Sequence, residues 1–149
     1  MKTLFQKDAV DEIISRINEL TPSSQRLWGR MNVEQMLAHC SVGLETAIGL
    51  KFYPQLFMGK LIGRFFKSFG IGERPINKNS PTNPAFIITK TMEFEKEKEN
   101  LIFLAKQFSE GGETKCTSNP HSFFGKLTPN EWGMLMYKHL DHHLKQFSV

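Results

Sequence analysis

The chain has 149 residues, enough for one domain that buries about two-thirds of the surface its unfolded form would expose, so a core can form without cross-links. Its 40% hydrophobic and 23% charged residues are ordinary for a globular protein; no apolar run nears the ~20 residues of a membrane span, and acids in MKTLFQKDAVDEI interrupt any signal-peptide core, so a cytoplasmic location is the default. Two cysteines exclude a disulfide framework, and the net charge of +4 is modest, although residues 51–78 concentrate it with Lys51, Lys60, Arg64, Lys67, Arg74 and Lys78 against the single acid Glu73.

No repeat is visible, and hydrophobic periodicity is mostly helical. Val10, Ile13, Ile14, Ile17 and Leu20 recur at helical spacing before Pro22, which predicts a first helix over residues 8–20. A second opens at Asn32, with Gln35 placed to close a capping box, and carries Val33, Met36, Leu37, Cys40, Leu44 and Ile48 on one stripe. Cys40 on that stripe reads as a buried free thiol, and Cys116 is expected to be reduced as well.

Residues 50–89 form a long connection. Its first part, FYPQLFMGKLIGRFFKSFG, has the spacing of a short helix with Phe57, Leu61 and Phe65 on one side, a reading that Gly59, Gly63 and Gly70 weaken. Its basic, aromatic content has the character of a membrane or RNA contact, but packing over one end of a helical bundle, or a homodimer interface, is the stronger expectation. No nucleic acid and no membrane are therefore expected among the partners.

A third helix is predicted over residues 91–108, with Phe94, Leu101, Leu104, Ala105 and Phe108 inward, the EKEKE stretch outward, and Gly111 and Gly112 as its stop. The fourth, over residues 128–147, opens on Thr128-Pro-Asn-Glu131, a capping box with proline at the first helical position. Its apolar seam reads Trp132, Met136, Leu140 and Phe147. Four amphipathic helices imply an all-α, four-helix bundle with a long crossover between helices two and three.

Three of the five histidines fall in KHLDHHLKQF, residues 138–147. His139 and His143 stand one turn apart, roughly 6 Å along the axis, and point the same way, the spacing by which one helix offers two imidazoles to one metal ion. Both share the inward seam. His142 is turned about 100° from His143, which suits a supporting or exposed residue better than a ligand. Gln146 shares the face of the pair, placed to orient a ligand or touch substrate, though an ordinary helix-end glutamine fits as well.

A single inward histidine is more often a hydrogen-bonded core residue, so a third ligand is needed to make a site. His39, at the edge of the second helix's stripe, is the strongest candidate, with Gly43 leaving space beside its imidazole. His121, in the loop HSFFGKLT, is a rim or substrate contact at most, since an imidazole there commonly braces a turn.

HLDHHLKQ resembles the His-x-x-His-His-x-x-Gln signature of the DinB-like superfamily, and WGRMNVEQMLAHC with HSFFGKLTPNEWGMLMYKHLDHH resembles its DUF1569-type branch, of uncharacterised function. The likeness covers helix two, the NSPTNP loop and all of helix four. It implies a four-helix bundle in which one histidine of the second helix and two of the fourth bind a divalent metal, here His39, His139 and His143. Relatives in the superfamily include transferases and isomerases that use bacillithiol, mycothiol or glutathione. One departure is Ser122, where the branch usually has proline.

Three neutral imidazoles leave the full charge on an ion, zinc or nickel by ligand type, together with an open coordination position. Hydrolysis would call for a carboxylate base, yet the faces around His39 offer Gln35, Thr46 and Gly43, and Asp141 projects from the far side of helix four. Glu73 in the crossover is the one acid whose position stays open. A thiol, with a free pKa of about 8.5, needs no such base. The expected function is thus a metal-dependent transferase that activates a low-molecular-weight thiol toward a small-molecule substrate; the alternative is a non-catalytic metal-binding or stress-related protein. Metal affinity is expected to fall as acid protonates the ligands, from about pH 6.5 for free imidazole.

Overall fold

The computed structural model describes residues 2–149. Among them the chain is all-helical: α1 (Lys7–Glu19), α2 (Val33–Ala47), α3 (Phe57–Ile71), α4 (Phe94–Gly111) and α5 (Pro129–Gln146), with short 3-10 turns at Pro84–Phe86 and Glu113–Lys115 and no strand. The predicted first, second, third and fourth helices are α1, α2, α4 and α5; the crossover between the second and third contributes the additional α3.

Local chemistry sets the helix ends. At α2, Asn32 Oδ1 accepts from the Gln35 N–H at 2.9 Å while Gln35 Oε1 accepts from the Asn32 N–H at 3.1 Å. Thr128 and Glu131 close the same reciprocal box at α5, behind Pro129. Helix α4 begins at Phe94 rather than at residue 91, and runs to Gly112, whose φ of 59° ends it as only glycine does without strain.

Helices α1 and α2 each pack against both α4 and α5, so the four surround one core. Ile13 and Ile17 of α1, Met36 and Leu37 of α2, Leu101 and Phe108 of α4, and Trp132 and Leu140 of α5 are each at most 1% exposed. Burying a side chain of this size stabilises the fold by roughly 1.5–3 kcal/mol. One charge departs from expectation: Glu97 of the EKEKE stretch points inward and is 9% exposed, and desolvation raises its pKa.

Helix α3 lies on α5 with its glycines inward and its large apolar residues outward. Phe57, Leu61 and Phe65 are 74%, 55% and 64% exposed, whereas Gly59, Gly63 and Gly70 are buried. The helix forms despite its glycines, which let it approach the backbone of Phe123 and the ring of Phe124. Leu56 donates its N–H to the Ser122 carbonyl at 2.8 Å and Gln55 Nε2 donates to the Phe123 carbonyl at 3.1 Å. At the far end Lys138 of α5 donates to the Gly72 and Phe69 carbonyls, a cation at the helix's negative end.

A Cβ at Gly63 would collide with the Phe123 carbonyl oxygen, a backbone atom that cannot step aside. Gly63→Ala should therefore lower the chemical-denaturation midpoint by the equivalent of roughly 1–3 kcal/mol, despite alanine's better helix propensity. An unchanged or raised midpoint would show that α3 does not rest on this turn.

Candidate metal centre

The face that α2 turns to α5 brings His39 against the histidine pair. His39 Nε2 and His139 Nε2 lie 3.0 Å apart, and one ring nitrogen from each of His39, His139 and His143 falls within 4.8 Å of the others. The ring centroids form a near-equilateral triangle, 5.0 Å from His39 to His139, 4.8 Å from His39 to His143 and 4.7 Å from His139 to His143. Two nitrogens bound tetrahedrally at 2.0–2.1 Å from a zinc ion stand about 3.3 Å apart, so the observed pair needs only a few tenths of an ångström to fit. His39 and His143 are 4% and 8% exposed, and His139 is half-buried as a whole residue.

The hydrogen bonds behind the rings determine which nitrogen carries the proton. His39 donates its Nδ1–H to the Phe86 carbonyl at 3.0 Å, which leaves the Nε2 lone pair facing the cluster. Gln146 Nε2 donates to the Trp28 carbonyl at 2.7 Å, so its Oε1 must be the acceptor for the His143 Nδ1–H at 2.9 Å. His143 therefore also presents a bare Nε2. Between His39 and His139 the one hydrogen that bridges them must sit on His139 Nε2; a cation would take that place, with His139 carrying its hydrogen on Nδ1. The three side chains suit a metal ion in donor type, His39 and His139 also in separation, and His39 and His143 in outer support.

A family model described as a protein of unknown function, DUF1569, matches residues 2–149. The chain belongs to the DUF1569 family. No curated protein and no solved structure matches it.

In this DUF1569 protein two glycines make room for the centre. A Cβ on Gly43 would stand 3.2 Å from His139 Nδ1, so the space this glycine leaves belongs to His139 and not, as its register on α2 suggested, to His39. Gly29, with φ of 79°, lets the loop carrying Trp28 close over Gln146; a Cβ there would stand 2.5 Å from Gln146 Nε2. Sequence reasoning missed Phe86, Trp28 and Gly29. The first two act through backbone carbonyls, which leave no mark in residue type, and only the glycine offered a signal.

The remaining candidate residues lie elsewhere. His142 tilts against Trp28 with centroids 5.6 Å apart and lines a cleft of about 310 Å³ with Ile76, Lys78, Asp141 and Lys145. His121 accepts at Nδ1 from the N–H groups of Phe123 and Phe124, both at 3.1 Å, and stacks on Phe124. Gln35 caps α2. Among the described residues no carboxylate or thiol joins the three histidines. Asp141 is taken by Arg16 at 2.9 Å and Lys145 at 2.8 Å, and Glu73 is exposed beyond the end of α3. What the crossover brings to the centre is the Phe86 carbonyl.

Burial keeps the cluster uncharged, which is the ligating form. It lowers the pKa of His39 against the pull of the Phe86 carbonyl, and takes His143 down to about 3 with help from repulsion by His39. His139 falls well below its ordinary value, by burial first and then by repulsion from His143 and His39. Protons thus compete with a metal at lower pH than free imidazole would suggest.

Two expectations follow from this chemistry. Gln146→Leu removes the acceptor for His143 Nδ1–H and should weaken zinc binding by roughly 10–100-fold in a competition titration, with helical content retained; unchanged affinity would show that Gln146 does not hold the ring. The second concerns acid. Because the folded pKa values lie below the unfolded ~6.5, the stabilisation is complete above about pH 6.5 and is lost as pH falls toward about 3. Urea unfolding of the metal-free protein should lose on the order of 1.4 kcal/mol per pH unit for each histidine held neutral, and a flat profile between pH 7 and 4 would refute it.

Proposed function

We propose that α1, α2, α4 and α5 form a DinB-like four-helix bundle, with the whole chain as one such domain. In this reading His39, His139 and His143 hold a divalent ion, zinc or nickel, and the protein is a transferase that activates a low-molecular-weight thiol for attack on an electrophilic small molecule. The observation that carries it is the convergence of three neutral imidazoles without an accompanying carboxylate.

A divalent ion supplies the positive charge that converts a coordinated thiol to its thiolate. Hydrolysis of the common kind asks in addition for a base, and none stands beside the cluster. The chain's own contribution is positional. Phe86 and Gln146 hold His39 and His143 with their Nε2 lone pairs inward. Gln35 and His121 serve a helix cap and a turn, and His142 with Trp28 offers the nearest wall for a substrate contact.

A second reading, a non-catalytic metal-binding protein, draws on the burial of His39 and His143 between α2 and α5, where an ion would tie two helices together. Metal analysis of the untagged protein, followed by conjugation of glutathione or bacillithiol to a chlorinated aromatic electrophile, separates them. The transferase should carry stoichiometric metal and turn over, and His139→Ala should lose both. Retained conjugation by His139→Ala would end the first reading; a large fall in Tm with chelator and no turnover with either thiol would favour the second.

A further inference from the structure

Helix α3 is amphipathic, yet it presents its apolar side to solvent. At about 100° per residue, Phe57, Leu61, Phe65, Met58 and Phe69 share roughly a third of its circumference. All five are at least 50% exposed, and Phe66 beside them is 45% exposed. At roughly 200 Å² per fully exposed side chain, these six leave on the order of 700 Å² of apolar surface uncovered, above the ~300–600 Å² of the largest patch on a typical monomer, which is itself often functional. The glycine face cannot be the alternative contact, because it is already closed against Phe123 and Phe124.

Charge distinguishes the occupants. The helix contains no acid. Lys60 and Arg64, both exposed, border the apolar sector beyond Phe57, and Arg64 lies over the Phe65 ring at 4.6 Å. Lys67, further round, is paired with Glu131 at 2.7 Å and turned to the protein. Two copies meeting face to face with antiparallel helices would bring both cationic borders to the same edge, with no acid in the helix to offset them. An anionic lipid surface satisfies both features together: the phenylalanines enter the acyl boundary and the cations meet headgroup phosphates.

We propose that the outward face of α3 is a docking surface for anionic phospholipid, so that the protein binds at a membrane surface without crossing it. No helix among the described residues is long and apolar enough to cross a membrane, and α3 needs only to lie in the interface plane. The surface is independent of the histidine cluster, so its test does not depend on the metal.

Co-sedimentation of the full chain with vesicles of phosphatidylglycerol and phosphatidylcholine, against phosphatidylcholine alone, tests the proposal. Binding to the anionic vesicles is expected, and should fall roughly tenfold or more on the neutral ones, as two basic residues at an anionic surface imply, and likewise in about 1 M salt, where screening shortens to roughly 3 Å. Leu61→Asp with Phe65→Asp should abolish binding, with circular dichroism unchanged. Lys60→Glu with Arg64→Glu should remove the preference for anionic lipid. The proposal is overturned if the wild-type chain ignores anionic vesicles, or if the Lys60→Glu, Arg64→Glu variant binds them as well as wild type. It is equally overturned if sedimentation velocity finds a dimer that Leu61→Asp with Phe65→Asp separates and that does not bind vesicles.

Discussion

The 3.0 Å approach of His39 to His139 across the α2–α5 contact is the constraint on which the rest of the centre depends. Two imidazoles that close, with a third beside them, cannot all charge. Burial then keeps them neutral, and the Nε2 lone pairs of His39 and His143 become available because the opposite nitrogen of each ring is committed elsewhere. The commitment comes from three separate parts of the chain: Phe86 in the crossover, Gln146 one turn along α5, and Trp28 in the loop before α2. The centre is therefore not a property of the two helices that carry its histidines. It requires the loop and the crossover to be folded onto them.

The crossover has two distinct tasks. Its later part delivers the Phe86 carbonyl to His39, and its earlier part forms α3, held by its glycines against Phe123 and Phe124 in the loop before α5 and by Lys138 of α5 at its end. Glycine packing brings two backbones together where side chains would hold them apart, and it frees the large residues of α3 to face outward. The same sequence stretch thus supports the buried centre at one end and offers an apolar, basic-edged surface at the other. Membership of DUF1569 places this arrangement in a family without an assigned activity, so the chemistry of the side chains carries the functional reading.

Much of this was legible in residue order, because it depends on local periodicity. The capping boxes at Asn32 and Thr128, the seam of Trp132, Met136, Leu140 and Phe147, and the shared face of His139 and His143 follow from 3.6 residues per turn and side-chain hydrogen bonding within one turn. His39 could be placed at the edge of its stripe for the same reason. Other features were opaque. Glu97 sits inside a run of charges that reads as wholly exposed, and Phe57, Leu61 and Phe65 have the spacing of an inward face.

Periodicity determines which residues share a face, and so the sequence by itself determined the helical class, the helix starts and the one-turn spacing of the histidine pair. It does not determine which side of a helix meets a neighbour when both sides can pack. Only the tertiary structure decided that glycines, not phenylalanines, seat α3 on the loop before α5, that the space at Gly43 belongs to His139, and that the carbonyls of Phe86 and Trp28 support the histidine rings. Close backbone approach and backbone hydrogen bonding are the same for nearly every residue type. Their partners are chosen by the fold, and no residue name announces them.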